Sequence, residues 1–219
     1  MATLAVLPIK SFPDAKRRLR HHLSPGDRRA LVEAMFCDVL VALRRAGGIE
    51  RIVVVSGDRA AQQIAAGYGA SVVSDDERGH SHAAAVGVRA ARELEAERAL
   101  LVPGDCPAMS SAELDALIAR PAGPRSALIV PDRHGTGTNA LLITPPDALD
   151  PSFGPGSRKR HELTAAEHGI EAEVVEVPSL ALDVDTPDDL ETLQAALDSS
   201  HGGAAHTRGM LTQLMRSRA

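Results

Sequence analysis

Aromatic side chains are nearly missing from this chain, with three Phe, one Tyr and no Trp among 219 residues. Platforms that stack nucleobases or planar cofactors are therefore hard to build, and a net charge of −5 removes any bulk attraction to nucleic acid or anionic membrane. Cysteine is equally scarce. Cys37 and Cys106 lie far apart and fit no CxxC or CxxH spacing, so neither a zinc site nor a disulfide framework is expected, and a cytoplasmic setting suits them. No apolar run is long enough for a membrane span, and the first one, ending at Pro8, is too short for a signal-peptide core. GxxxxGK[ST] is absent, no GxGxxG follows the first strand, and no Ser-His-Asp, Cys-His or HExxH arrangement is legible.

What is present is 44% hydrophobic sequence in short, regularly spaced runs, enough for one domain with a real core. Runs at 4–7, 51–55, 70–73, 99–102, 127–130, 140–143 and 172–177 are bounded by turn residues and predict strands. Helical patterns fall between most of them. The clearest starts at Ser24-Pro25, an N-cap and N1 pair, and stops at Gly47-Gly48; others cover 81–96, 110–119 and 187–197. Strands alternating with helices predict an α/β fold, a Rossmann-like, mostly parallel sheet with helices on both faces. Residues 1–198 are expected to form the domain. Residues 121–155 break the rhythm with strand-like runs around a glycine-rich turn, and are expected to be a small β-rich insertion forming a lid or pocket wall. Residues 199–219 are rich in Ser, His, Gly, Arg and Thr and are expected to be a mobile tail, with a weak apolar run that could close as a short helix. No internal repeat is visible.

Candidate chemistry sits at the predicted strand ends. Asp183 and Asp185 are two residues apart on an extended stretch, so both carboxylates point to one side, and Thr186, Pro187, Asp188 and Asp189 then open a helix. That is half of a divalent-cation site. Asp105, in Pro103-Gly104-Asp105-Cys106-Pro107, stands where a metal or a ribose could be met, or caps a turn; joined to Asp183 and Asp185 it makes a hard-oxygen set suited to Mg²⁺ bridging phosphates. Lys10 and the basic run Lys16, Arg17, Arg18 and Arg20 follow the first strand and suit phosphate oxygens, or form a solvated basic loop. The glycine turns Gly135-Thr136-Gly137-Thr138-Asn139 and Phe153-Gly154-Pro155-Gly156-Ser157 pair open amides with hydroxyls, as an anion nest at a helix start would. His80 and His82, and likewise His21 and His22, have no acid or thiol partner at ligand spacing, so surface or cap roles are expected; His161 is the best ligand contact among the histidines.

Taken in order, Pro8-Ile9-Lys10, Ala15-Lys16-Arg17-Arg18-Leu19, Gly104-Asp105-Cys106-Pro107-Ala108, Gly135-Thr136-Gly137-Thr138, Phe153-Gly154-Pro155-Gly156-Ser157 with His161, and Asp183-Val184-Asp185-Thr186-Pro187 resemble the guanylyltransferases of deazaflavin (coenzyme F-420) biosynthesis. The resemblance covers the chain to about Leu197. It implies a fold like that of molybdopterin-guanine dinucleotide synthases and nucleotide-diphospho-sugar transferases. The activity implied joins GTP to phosphoenolpyruvate or 2-phospho-L-lactate, the product passing to a downstream transferase. For residues it implies that Thr138, Gly154 and Ser157 hold the phosphorylated acid, that Asp105, Asp183 and Asp185 hold Mg²⁺, and that Lys10 and Lys16 offset the charge on the reacting phosphates. The chain departs from the family at Arg78-Gly79-His80-Ser81-His82-Ala83, where a Gly-Leu-Asn-x-Ala type loop usually helps hold the nucleotide. Cys106 also replaces the usual leucine. A related transferase with another acceptor and a non-catalytic nucleotide-binding protein are the competing expectations, and a homodimer is compatible with either. No nucleic-acid or membrane partner is expected.

Overall fold

The computed structural model describes residues 1–76, 78–200 and 202–218. Seven strands form one sheet: β1 (Thr3–Pro8), β2 (Arg51–Val55), β3 (Ser71–Val73), β4 (Arg98–Leu101), β5 (Ser126–Pro131), β6 (Thr138–Thr144) and β7 (Glu171–Val174), in the spatial order β3-β2-β1-β4-β6-β5-β7. All neighbours are parallel except that β6 runs antiparallel to both β4 and β5. Successive side chains of a strand alternate between faces, and both faces are buried, which is why these strands read as unbroken apolar runs. Ala5 and Leu7 join a first core with Val54, Leu100, Leu128 and Leu142, whereas Leu4 and Val6 join a second with Val53, Val55, Leu101 and Ile143.

Among the described residues, seven α-helices cover the two faces. The first core is closed by α1 (Pro25–Arg45), α2 (Arg59–Gly67), α4 (Ser111–Ile118), α6 (Pro187–Ser199) and α7 (Ala205–Arg218); the second is closed by α3 (His80–Glu93) and α5 (Ser157–Glu167). The α1 start is the one the sequence announces, for the Ser24 side chain accepts from the Asp27 amide and Pro25 occupies the first turn. At α6 the capping box is complete: Thr186 accepts from the Asp189 amide and the Asp189 carboxylate accepts from the Thr186 amide.

Three expectations are corrected. The segment 121–155 is no appended insertion, since β6 hydrogen-bonds to β4 and β5 to β7, so it builds the middle of the sheet's second half. The predicted strand at 172–177 is Glu171–Val174, followed by one further bond from the Val175 amide to the Ile129 carbonyl (2.9 Å). Residues 205–218 of the expected mobile tail form α7, whose Met210, Leu211 and Leu214 are buried in the first core. The Asp38 carboxylate of α1 accepts from the amides of His206 (3.1 Å) and Thr207 (2.7 Å) and from the Thr207 hydroxyl (2.6 Å), satisfying an otherwise open helix start. His201 and Ala219 of that tail lie outside the described residues.

Candidate active site

A parallel sheet sends the C-terminal ends of its strands to one edge, and an antiparallel strand brings its N-terminal end there. β1 delivers Ile9 and Lys10, β4 delivers Gly104 and Asp105, and β6, reversed, delivers Thr138 and Asn139. With the starts of α3, α5 and α6 they enclose a cavity of about 820 Å³. Every expected site residue lines it: Lys10, Lys16, Asp105, Thr138, Gly154, Ser157, Asp183 and Asp185.

Its acidic side is organised by Lys16. This residue has left-handed backbone (φ 54°, ψ 41°), a conformation that a non-glycine residue adopts at a cost of about 1–3 kcal/mol. The turn sends its side chain inward, leaving it 8% exposed. Nζ hydrogen-bonds to Asp105 and, at 2.7 Å, to Asp185 Oδ1, and Arg18 approaches Asp185 at 3.8 Å. Burial works against the ammonium charge, but Asp105 and Asp185 outweigh it and hold the Lys16 pKa above the ordinary lysine range. Asp183 is pushed the other way for a carboxylate: burial, then the charges of Asp105 and Asp185, raise its pKa against the hydrogen bond from Asn139 Nδ2 (3.1 Å) and the field of Lys16. Three carboxylates thus gather around one buried ammonium, and Asp105 Oδ1 is buried with no hydrogen-bond partner. Hard oxygens, a carboxyl held against its preference and an orphaned acceptor are what a divalent cation would relieve. Carboxylate and imidazole atoms within 4.8 Å of one another occur, among the described residues, at Asp75, Asp76 and His82 instead. There Asp76 already meets Arg78 (2.6 Å) and His82 (3.1 Å), which corrects the expectation that His82 lacks an acidic neighbour.

The opposite side is built for an anion. The two glycine turns differ. In 135–139 the amides of Thr136 (2.9 Å) and Gly137 (3.0 Å) donate to the Asp132 carboxylate, so these amides form no open nest, and the turn lines the cavity with Thr136, Gly137, Thr138 and Asn139. The turn 153–157 opens α5, whose N-terminus has no side-chain cap; Gly154 (φ 106°) and Gly156 (φ 70°) hold backbone that favours glycine. Arg160 wraps it from behind, donating to the carbonyls of Ser152 (3.0 Å), Phe153 (3.1 Å) and Pro155. Ser157 Oγ is buried there without a partner. His161 is fully buried behind Thr138 rather than facing the cavity, so it is not a ligand contact: Nδ1 lies 3.1 Å from Thr138 Oγ1 and Nε2 accepts from the Ser152 amide at 2.9 Å. Phe153 stands edge-on to His161 and to His80, at centroid distances of 5.6 and 5.0 Å. Burial lowers the His80 pKa, Asp105 opposing and Lys10 and Lys16 assisting. Cys106 is fully buried, and burial followed by the Asp105 charge pushes its thiol well up, so it is no nucleophile.

Several residues shape the site through contacts that the sequence pattern does not show. Asp189 accepts from the Asp185 amide (2.9 Å) and pairs with Arg133. Asn139 Nδ2 ties the Leu180 carbonyl (2.7 Å) to Asp183. Asp58, the N-cap of α2, also accepts from the Phe12 amide (2.8 Å) and so fixes the loop that carries Lys16.

The sheet order with a reversed β6, and a cavity of carboxylates and cations at its strand ends, give the chain a nucleotidyltransferase-like fold. A solved structure from Desulfovibrio desulfuricans G20, assigned as a nucleotide-diphospho-sugar transferase, superposes with a TM-score of 0.74 over 99% of this chain and 98% of its own at 16% identity, which concerns the fold alone. The family is closer at hand: residues 3–217 match the model described as guanylyl transferase CofC like, and the chain belongs to that family. It is 52% identical to a phosphoenolpyruvate guanylyltransferase of Conexibacter woesei over 99% of this chain and 98% of the relative. It is 35% identical to a 3-phospho-D-glycerate guanylyltransferase of Colwellia psychrerythraea, over 88% of this chain and 91% of the relative. A 2-phospho-L-lactate guanylyltransferase of Methanothermobacter thermautotrophicus is 30% identical, over 98% of this chain and 92% of the relative.

Proposed function

We propose that this protein joins GTP to phosphoenolpyruvate, giving enolpyruvyl-2-diphospho-5'-guanosine and diphosphate, as a step in coenzyme F-420 biosynthesis in the cytoplasm. The observation that carries the chemistry is one cavity with two differently charged halves: Asp105, Asp183, Asp185 and Lys16 on one side, Thr138, Ser157 and the uncapped start of α5 on the other. The 52% identity to a protein named for phosphoenolpyruvate supports the choice of acceptor. 2-Phospho-L-lactate is the second choice, favoured by the relative named for it.

In this reading the acid's phosphate oxygen attacks the α-phosphorus of GTP in line, forming one P–O bond as the bond to diphosphate breaks. The attacking oxygen is already deprotonated at neutral pH, so no general base is required. The obstacle is repulsion between two polyanions. Thr138, Ser157 and the α5 amides would bind the acid's phosphate, while Lys10 and Lys16 would offset charge on the nucleotide. Asp105, Asp183 and Asp185 would hold Mg²⁺, which supplies charge neutralisation on the phosphate oxygens. Because Lys16 Nζ stands between Asp105 and Asp185, cation binding there implies that the ammonium yields at least one carboxylate and turns toward the phosphates.

The test is diphosphate release with Mg²⁺ and GTP against phosphoenolpyruvate, 2-phospho-L-lactate and 3-phospho-D-glycerate, repeated with ATP. Fastest release with GTP and phosphoenolpyruvate is expected. No release with any acid would overturn the reading.

A further inference from the structure

We propose that His161 is a positioning residue that donates to the Thr138 hydroxyl, so that the hydroxyl's own proton is kept for donation toward the cavity, and so toward the phosphate of the acceptor acid. The inference rests on the functional reading above for the ligand, but its geometry stands on its own. An amide N–H can only donate, so the bond from Ser152 N to His161 Nε2 at 2.9 Å requires Nε2 to be unprotonated. The neutral ring then carries its proton on Nδ1. That nitrogen lies 3.1 Å from Thr138 Oγ1, and with its proton in place it donates to the oxygen. One Thr138 lone pair is thereby taken and the hydroxyl proton is left for another acceptor. Thr138 lines the cavity, beside the buried, unpartnered Ser157 Oγ on the first turn of the same helix that carries His161.

The surroundings keep the ring in that state. His161 is fully buried, with Phe153 edge-on and the Arg160 guanidinium next in sequence. Burial first, then Arg160, lowers its pKa to about 4, so the imidazole stays neutral at physiological pH. A protonated ring would lose the Ser152 bond, because both nitrogens would then donate. The relay runs one way, from Ser152 N–H to Nε2, from Nδ1–H to Thr138 and from Thr138 O–H to the ligand. A hydroxyl that already accepts from His161 and keeps its own proton is placed to donate to an anionic or carbonyl oxygen.

Two measurements test this. Nitrogen-15 NMR of the imidazoles at pH 7, with the His161 signal assigned by its loss in His161→Asn, is expected to show the neutral Nδ1–H tautomer; an Nε2–H tautomer or an imidazolium would overturn the proposal whether or not the enzyme uses the expected acid. Steady-state kinetics supply the second arm. His161→Asn keeps an N–H donor near the position of Nδ1 and should leave KM for the acid within about threefold, whereas His161→Phe should raise it about 10-fold or more, with KM for GTP within twofold. On a Thr138→Val background His161→Phe should add no further effect on that KM. Equal rises in both KM values with a matching loss of kcat in every His161 variant would mark a purely structural role and overturn it. Absence of turnover with all acids in the unsubstituted enzyme would refute the functional reading instead, leaving the tautomer result to decide the geometry.

Discussion

Lys16, Asp105, Asp183 and Asp185 show how one side chain can hold a site in tension. Lys16 satisfies two carboxylates and leaves Asp105 Oδ1 and Asp183 underserved. Asp183 has its pKa raised by burial and by its acidic neighbours, so its proton is held more tightly in the folded chain than in the unfolded one, and above the folded pKa its ionised form opposes folding. Asp183→Asn keeps an acceptor for Asn139 and removes that charge. In metal-free protein at pH 7 it should raise Tm by a few degrees, since 1 kcal/mol shifts a domain of this size by about 2–4 °C, while activity falls. Asp105→Asn should lower kcat by about 100-fold or more with little change in fold, checked by steady-state rates beside circular dichroism. The acids were legible because Asp183 and Asp185 have strand spacing before a complete helix cap. The inward course of Lys16 was not, because it depends on a left-handed turn pinned from Asp58, 46 residues from Phe12 in sequence.

Elements repeat that division. α1 and α6 announce themselves through Ser24-Pro25 and Thr186-Pro187, whereas α7 looks like a tail because its own pattern is polar and its start has no local cap. Short helices are marginal without packing. Here Asp38, 168 and 169 residues away, serves as the cap, and α1 supplies the apolar surface. Asp38→Ala leaves the Thr207 hydroxyl and two amides unpaired and should cost about 2–4 kcal/mol, a fall in Tm of roughly 5–15 °C by scanning calorimetry. Turnover at low temperature should hold, because none of these groups lines the cavity. The reversed β6 was likewise hidden, since an apolar run does not state its direction. Its direction is what brings Thr138 to the strand ends and into the cavity that Asp105 also lines. On the other face α3 lies so close that a Cβ on Gly87 would come within 2.1 Å of Val6 Cγ1. That contact, rather than any turn, explains a glycine in mid-helix.

For the whole molecule, the buried histidine links the site to acid stability. The His161 pKa is lowered to about 4 by burial and by Arg160, below the value near 6.5 of an unfolded chain. Between those values the unfolded state binds the extra proton, so stability rises with pH there: it is intact above about pH 6.5 and declines toward pH 4 by about 1.4 kcal/mol per unit. Urea midpoints across that range should show the decline, and His161→Asn should flatten it. The architecture was legible from the alternation of buried strands and helices, and the chemistry from acids and glycine turns at strand ends. The links between sites were not, since they are hydrogen bonds between residues distant in sequence.

Transfer of GMP onto the phosphate of a three-carbon acid can be followed by phosphorus NMR of GTP, Mg²⁺ and phosphoenolpyruvate turning over with the enzyme. A new pair of coupled diphosphodiester resonances is expected to grow in step with free diphosphate while the phosphoenolpyruvate signal declines. Free GMP, or inorganic phosphate, with phosphoenolpyruvate unchanged would contradict it.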